Sequence, residues 1–141
     1  MQNRWTILLA LGMAVAACTP SAERAELTIV ATDFAYTPST LEVRDGQPVH
    51  LRLQNDGSLE HDLSLSGLPI AEGSVAATPE SGHDMSHLHT DAAMSVHLSA
   101  QPGQTATVSF TPTKPGSYRF ICTIPGHQEA GMFGTLMVTE P

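Results

Sequence analysis

Short runs of alternating apolar and polar residues, cut by Gly and Pro turns, restrict this chain to a β architecture. Leu27, Ile29 and Ala31 alternate with Thr28, Val30 and Thr32, and Phe34 and Tyr36 follow. Thr40 to Arg44 alternates cleanly, as do Val49, Leu51 and Leu53 against His50, Arg52 and Gln54. Asp45-Gly46 and Asn55-Asp56-Gly57 supply turn signals between them. Leu59, His61, Leu63 and Leu65 share one parity, which predicts His61 on the core side. A buried imidazole there needs a partner. The rhythm returns in Ser95–Ser99, then in Ala106, Val108 and Phe110, then in Tyr118, Phe120 and Cys122, and finally in Gly134, Leu136 and Val138. A period of two sends successive side chains to opposite faces. The pattern therefore predicts about eight short strands in an all-β sandwich or barrel. The 141 residues suffice for one domain. No helix is well signalled outside a turn or two in 83–94.

Residues 67–93 break the alternation, and Gly, Pro, Ser, Ala and His dominate there. So long an insertion in a compact domain is either functional or disordered. It holds His83, Met85, His87, His89 and Met94, with His97 just after. Its plainer reading is a polar lid. Its other reading is a second, weaker copper site on His83, Met85, His87 and His89, because imidazole and thioether both suit copper.

The loop from Cys122 to Met132 carries the chemistry. A thiolate, an imidazole (His127) and a thioether fall within eleven residues. With His61 upstream they make a His₂Cys set with a weak Met, the donor set of a blue-copper centre. Soft sulfur selects Cu(I), imidazole suits both oxidation states, and a weak thioether tunes the potential. One loop can place three donors around a point, while His61 must arrive from another strand. Zinc also takes Cys and His, but a Met ligand is foreign to a structural zinc site.

The run Pro115 to Val138 resembles the ligand-bearing end of the cupredoxin family, the plastocyanin- and azurin-like type 1 blue copper proteins. The likeness rests on the Cys122-x₄-His127-x₄-Met132 spacing, the Gly134, Leu136, Val138 strand after it and the upstream His61. It extends over roughly residues 26–139, with the insertion near 67–93. It implies a Greek-key β-sandwich in which His61, Cys122, His127 and Met132 hold one copper ion. Many relatives carry Asn directly after the first His; this chain has Asp62. An ionised carboxylate accepts hydrogen bonds from Thr123 but cannot donate one. Asp62 is therefore either a tie between loops or a solvent-exposed acid.

The N-terminus reads as a targeting segment. Arg4 precedes an apolar stretch from Trp5 to Ala17, and Val15-Ala16-Ala17-Cys18 resembles a bacterial lipobox. That resemblance divides the chain into a signal peptide at 1–17, a lipidated Cys18 with its tether at 18–25, and a domain at 26–141. Cys122 is then a lone thiol in an oxidising compartment, which a metal bond would protect. Thr19, a non-Asp residue after the lipobox Cys, points to the outer membrane and so to the periplasmic side. With six Lys and Arg against fourteen Asp and Glu, the net charge of −8 gives no basic face for nucleic acid. The expectation is a non-enzymatic, membrane-anchored carrier of single electrons, with a cytochrome or a terminal oxidase or reductase as partner. The alternative is a periplasmic copper carrier, buffer or resistance protein using the His/Met tract.

Overall fold

The computed structural model describes residues 23–74, 76–79 and 94–141. The chain forms ten strands among them: β1 (Ala25–Thr32), β2 (Ala35–Thr37), β3 (Thr40–Arg44), β4 (Val49–Asn55), β5 (His61–Ser66), β6 (Ala76–Pro79), β7 (Met94–Ala100), β8 (Thr105–Phe110), β9 (Gly116–Ile121) and β10 (Phe133–Thr139). One sheet has the order β2-β1-β4-β8-β6 and the other β3-β10-β9-β5-β7. The β1–β4 and β3–β10 pairs run parallel, and the remaining pairs run antiparallel. This is the all-β sandwich that the alternation anticipates and the Greek-key form that the cupredoxin resemblance implies.

Alternation becomes burial directly. Along β4, Val49, Leu51, Leu53 and Asn55 are buried while the residues between them are only partly covered. Leu41 and Val43 of β3 and Leu136 and Val138 of β10 behave alike. The inner faces close over Ile29, Leu51, Leu53, Leu63, Leu65, Phe110, Phe120 and Leu136. Each such side chain contributes about 1.5–3 kcal/mol when removed from water.

Four features depart from the sequence expectation. First, β2 is a separate three-residue strand, because Asp33-Phe34 turns instead of continuing β1. Phe34 takes a φ of +67°, rare for a bulky residue, and is 42% exposed. Second, Leu59 is 44% exposed, because residues 58–60 form the connection before β5 and strand parity does not reach them. Third, β5 buries five consecutive residues, including the outward Asp62 and Ser64, since neighbouring elements cover its second face. Fourth, the insertion is partly built into the sandwich. Ala76–Pro79 pairs with Ala106–Ser109 at a sheet edge, where backbone pairing needs no side-chain alternation and a Pro is tolerated. Leu68 is buried, and Thr113 N–H donates to Pro69 O at 2.9 Å. The proposed signal peptide, Cys18, most of the tether, the helical turn in 83–94 and the His83, Met85, His87, His89 group lie outside the described residues.

Candidate metal centre

The connection from β4 delivers His61. The Asn55 side-chain amide donates to Leu59 O at 2.7 Å and to Ala100 O at 2.8 Å, and Asn55 Oδ1 accepts from Gly57 N–H at 2.9 Å. That fully buried Asn fixes where β5 begins, and β5 begins with His61. The His61 imidazole is fully buried, yet neither ring nitrogen has a hydrogen-bond partner. Asp33 Oδ1 stands 3.5 Å from Nε2, too long for an ordinary hydrogen bond. Burial holds the His61 pKa below the usual imidazole value; Asp33 opposes that shift and His127 adds to it.

The second stretch is the loop from Cys122 to Met132, which its own backbone closes. Cys122 N–H donates to Met132 O at 3.1 Å and Met132 N–H to His127 O at 3.0 Å. His127 N–H donates to Ile124 O at 3.1 Å, and Ala130 N–H to Gly126 O at 3.1 Å. The turn requires φ of +87° at Gly126 and +108° at Gly131, where a Cβ would be strained. The outcome is a loop whose two ends hold each other. Cys122 and Met132 are fully buried and His127 nearly so.

His127 Nδ1 lies 3.4 Å from Cys122 Sγ, and the two imidazole centroids are 5.1 Å apart. Donor atoms of His61, Cys122 and His127 all fall within 4.8 Å of one another. Bonds of about 2.0–2.3 Å to a central ion put its ligands roughly 3.5–4 Å apart, so the three donors would close by less than about an ångström around a single metal. The buried, unpartnered imidazole fits it too, since burying such polar atoms is costly unless something satisfies them. Burial raises the Cys122 thiol above its ordinary value. Among the described residues no other His, Cys, Asp and Glu combination forms such a group. Met132 completes the set from the closing end of the loop. The structure thus brings together His61, Cys122 and His127, and it buries Met132 at the closing end of their loop.

Asp62 is buried, not solvated. Its Oδ1 accepts from Thr123 N–H at 2.6 Å, its Oδ2 accepts from the Thr123 hydroxyl, and His97 Nε2 donates to Oδ2 at 3.2 Å. The buried Tyr36 hydroxyl donates to the Asp62 carbonyl. Burial alone would raise the Asp62 carboxyl, but hydrogen bonds from His97 and Thr123 outweigh it and hold the group below the usual carboxylate range. Asp62 therefore ties β5 to the residue beside Cys122. Asp62→Ala strands the Thr123 donors and is expected to cost roughly 2 kcal/mol, measured by denaturant unfolding of the metal-free protein. The sign of the shift sets the pH dependence. A depressed carboxyl stabilises fully above the usual carboxylate range, and that stability is lost as pH falls through its lower folded value. Wild type and Asp62→Ala should thus converge in stability only in strong acid.

Sequence reasoning missed Asp33, Phe34 and His97. Phe34 packs edge-on against the His127 ring at 5.1 Å. His97 reaches Asp62 only through the β5–β7 register, in which Asp62 pairs with Ser99 and Ser64 with His97. Nothing local in the sequence announces either contact.

Comparison with known proteins agrees with this geometry. The profile of the cupredoxin-like domain family matches residues 5–138. The copper-resistant cuproprotein CopI of Rubrivivax gelatinosus is 32% identical over 117 residues, covering 83% of this chain and 67% of that protein. The reduced auracyanin of Roseiflexus castenholzii superposes with a TM-score of 0.61 at 21% identity, over 84% of this chain and 98% of that one. Auracyanin A of Chloroflexus aurantiacus, described as a blue copper protein, gives a TM-score of 0.59 at 22% identity, over 83% and 100%. At such identities the structural likeness speaks to fold alone.

Proposed function

This chain belongs to the cupredoxin-like domain family and takes copper as its cofactor, and we propose that it carries single electrons between redox partners outside the cytoplasm. His61, Cys122, His127 and Met132 would hold one type 1 copper. Bound there, copper would supply exchange of one electron between its Cu(I) and Cu(II) states. The supporting observation is that donor atoms of the buried His61, Cys122 and His127 lie within 4.8 Å of one another. A frame fixed by backbone bonds and by the Asp62–Thr123 tie rearranges little when charge changes, so the barrier to transfer stays low.

His127 would give a way out, because its ring packs against Phe34, which is 42% exposed. Phe34, Leu59 and Phe133 are each more than 40% exposed, on or beside the segments that bear the ligands. They would offer apolar surface to a small, transient interface, with the Arg119 guanidinium seated over the Phe133 ring at 4.0 Å. Beside them Ile124 is partly exposed and Pro125 exposed, whereas Met132 and Leu68 are buried in the core. The acidic charge steers the protein toward a basic partner, such as a cytochrome or a terminal oxidase or reductase. Lipidation at Cys18 would tether the domain on the periplasmic side of a membrane, with Thr19 favouring the outer one. We assign it no catalysis of its own, since one mononuclear centre serves transfer and not multi-electron chemistry.

A second reading has specific support: a relative of 32% identity is named for copper resistance. In that reading the protein delivers the ion itself, and the His83, Met85, His87 and His89 tract assists. Competition separates the two. Under repeated oxidation and reduction in the presence of a copper chelator, an electron carrier keeps its metal and its redox amplitude. A copper carrier loses both within a few cycles, and that loss would displace the first reading.

A further inference from the structure

Asp33 lies on the turn between β1 and β2, far in sequence from every donor of the metal centre. Its carboxylate is nevertheless held in a fixed place. Oδ1 accepts from Ser58 N–H at 2.9 Å, and Oδ2 accepts from the Ser58 hydroxyl at 2.7 Å. Ser58 belongs to the connection that delivers His61, so the carboxylate is fastened to the segment carrying that imidazole. Oδ1 consequently stands 3.5 Å from His61 Nε2.

Gly57 makes the approach feasible. A Cβ at position 57 would lie 2.6 Å from Asp33 Oδ1 and 2.8 Å from His61 Nε2. Only a residue without a side chain leaves room for the carboxylate and the imidazole to face each other. The same geometry tells the two His61 nitrogens apart: Nε2 faces Gly57 and Asp33, which leaves Nδ1 for the metal centre. His127 likewise turns Nδ1 toward Cys122 Sγ.

We propose that Asp33 is a positioning residue for His61: its carboxylate faces Nε2 at 3.5 Å and favours the proton there, so that the imidazole is held as the Nε2–H tautomer with the Nδ1 lone pair directed at Cys122 and His127. The inference rests on the assignment of His61 as a copper ligand and adds what orients it. A neutral imidazole carries one N–H, and the hydrogen bond made by one nitrogen decides which of them is free to bind metal. A carboxylate acceptor also makes the donor nitrogen more basic. A fixed negative charge one ring away from the ion favours Cu(II) over Cu(I).

The test compares wild type, Asp33→Ala, Asp33→Asn and Ser58→Ala, each as the full chain. Two quantities are read: the His61 ring-nitrogen chemical shifts in the metal-free and Cu(I)-loaded proteins, and the ratio of Cu(II) to Cu(I) dissociation constants. Wild type should hold the His61 proton on Nε2. Asp33→Ala should mix the tautomers and weaken Cu(II) relative to Cu(I) about tenfold or more, a rise of about 59 mV in one-electron potential per tenfold. Asp33→Asn keeps an acceptor but loses the charge, so it should retain the tautomer and shift the ratio less. Ser58→Ala removes the hydroxyl bond to Oδ2 but keeps the Ser58 N–H bond to Oδ1, the oxygen that faces His61, so it should lower stability without a tenfold change. Equal losses of stability in Asp33→Ala and Ser58→Ala, with the affinity ratio unmoved in both, would overturn the proposal. So would a wild-type His61 protonated on Nδ1. If Asp33→Ala does not fold, Asp33→Asn against wild type decides through the ratio. If wild type binds no copper, the metal-centre reading fails, while the metal-free tautomer still decides for or against Asp33.

Discussion

Copper-loaded Cys122→Ser is expected to lose the intense visible band of the wild-type protein and to bind copper more weakly by more than about 100-fold, the upper end of what losing a mere outer partner costs. Cys122 is the sulfur anion of the cluster and the one described free cysteine, fully buried. A serine hydroxyl stays protonated at neutral pH, offers a hard oxygen and cannot give the strong charge transfer that a thiolate gives to Cu(II). His61 and His127 remain in place, so weak, nearly colourless binding should persist. The fold itself survives the change. The cost is that of burying one hydroxyl at a site built for a thiol, about 1–3 kcal/mol, so variant and wild type are best compared metal-free. The larger difference appears on loading. A ligand that binds only the native state stabilises it by about 4 kcal/mol at a thousandfold excess over Kd. Wild type should show most of that gain in its unfolding midpoint and Cys122→Ser little of it. A visible band unchanged by the substitution would remove Cys122 from the centre.

Much of this architecture is legible in the chain because it follows from period. The strands that bury Val49, Leu51 and Leu53, or Leu136 and Val138, alternate strictly, and a two-residue period leaves a face no choice. The donors on the loop are legible for a related reason: Cys122, His127 and Met132 are so near in sequence that a closed loop must bring them together. His61 is legible only through parity with Leu63 and Leu65. What escapes is whatever depends on one segment meeting another. β6 joins the sheet edge through its register with β8, which no alternation in its sequence announces. Asp33 reaches His61 through the Ser58 clamp and a missing side chain at Gly57, and strands β2, β3 and β4 separate it from both in sequence. His97 meets Asp62 across a strand register. Asp62 itself is visible as a departure from the family pattern, yet whether it ties or merely dissolves is decided by the Thr123 donors that close over it. Its partners include a histidine at 30% side-chain exposure, so the tie between the ligand loop and β5 has one end near solvent.

Gly134→Ala should produce the largest loss of stability of any single-methyl change in the second sheet, about 3 kcal/mol, the upper end of the usual overpacking range. Gly134 opens the inward face of β10 and pairs with Phe120 of β9. A Cβ there would lie 2.2 Å from Phe120 Cζ, 2.4 Å from Phe120 Cε2 and 2.5 Å from the backbone oxygen of Ser39. None of these can yield cheaply. Phe120 is fully buried with Tyr36 edge-on against it at 5.4 Å, and Ser39 O already accepts the Thr135 N–H at 2.9 Å. The added methyl must therefore push β10 or the Phe120 ring. Since β10 starts immediately after Met132, and Met132 O holds Cys122 N–H, the displacement passes into the ligand loop. The copper-loaded variant should accordingly show a shifted or broadened visible band as well as a lower unfolding midpoint. Met137→Ala serves as the control: Met137 lies on the opposite face of the same strand and is 39% exposed, so its substitution should stay within about 0.5 kcal/mol and leave the spectrum alone. If Gly134→Ala unfolds at the wild-type midpoint, Phe120 does not pack over β10, and the support beneath the Cys122–Met132 closure is other than described.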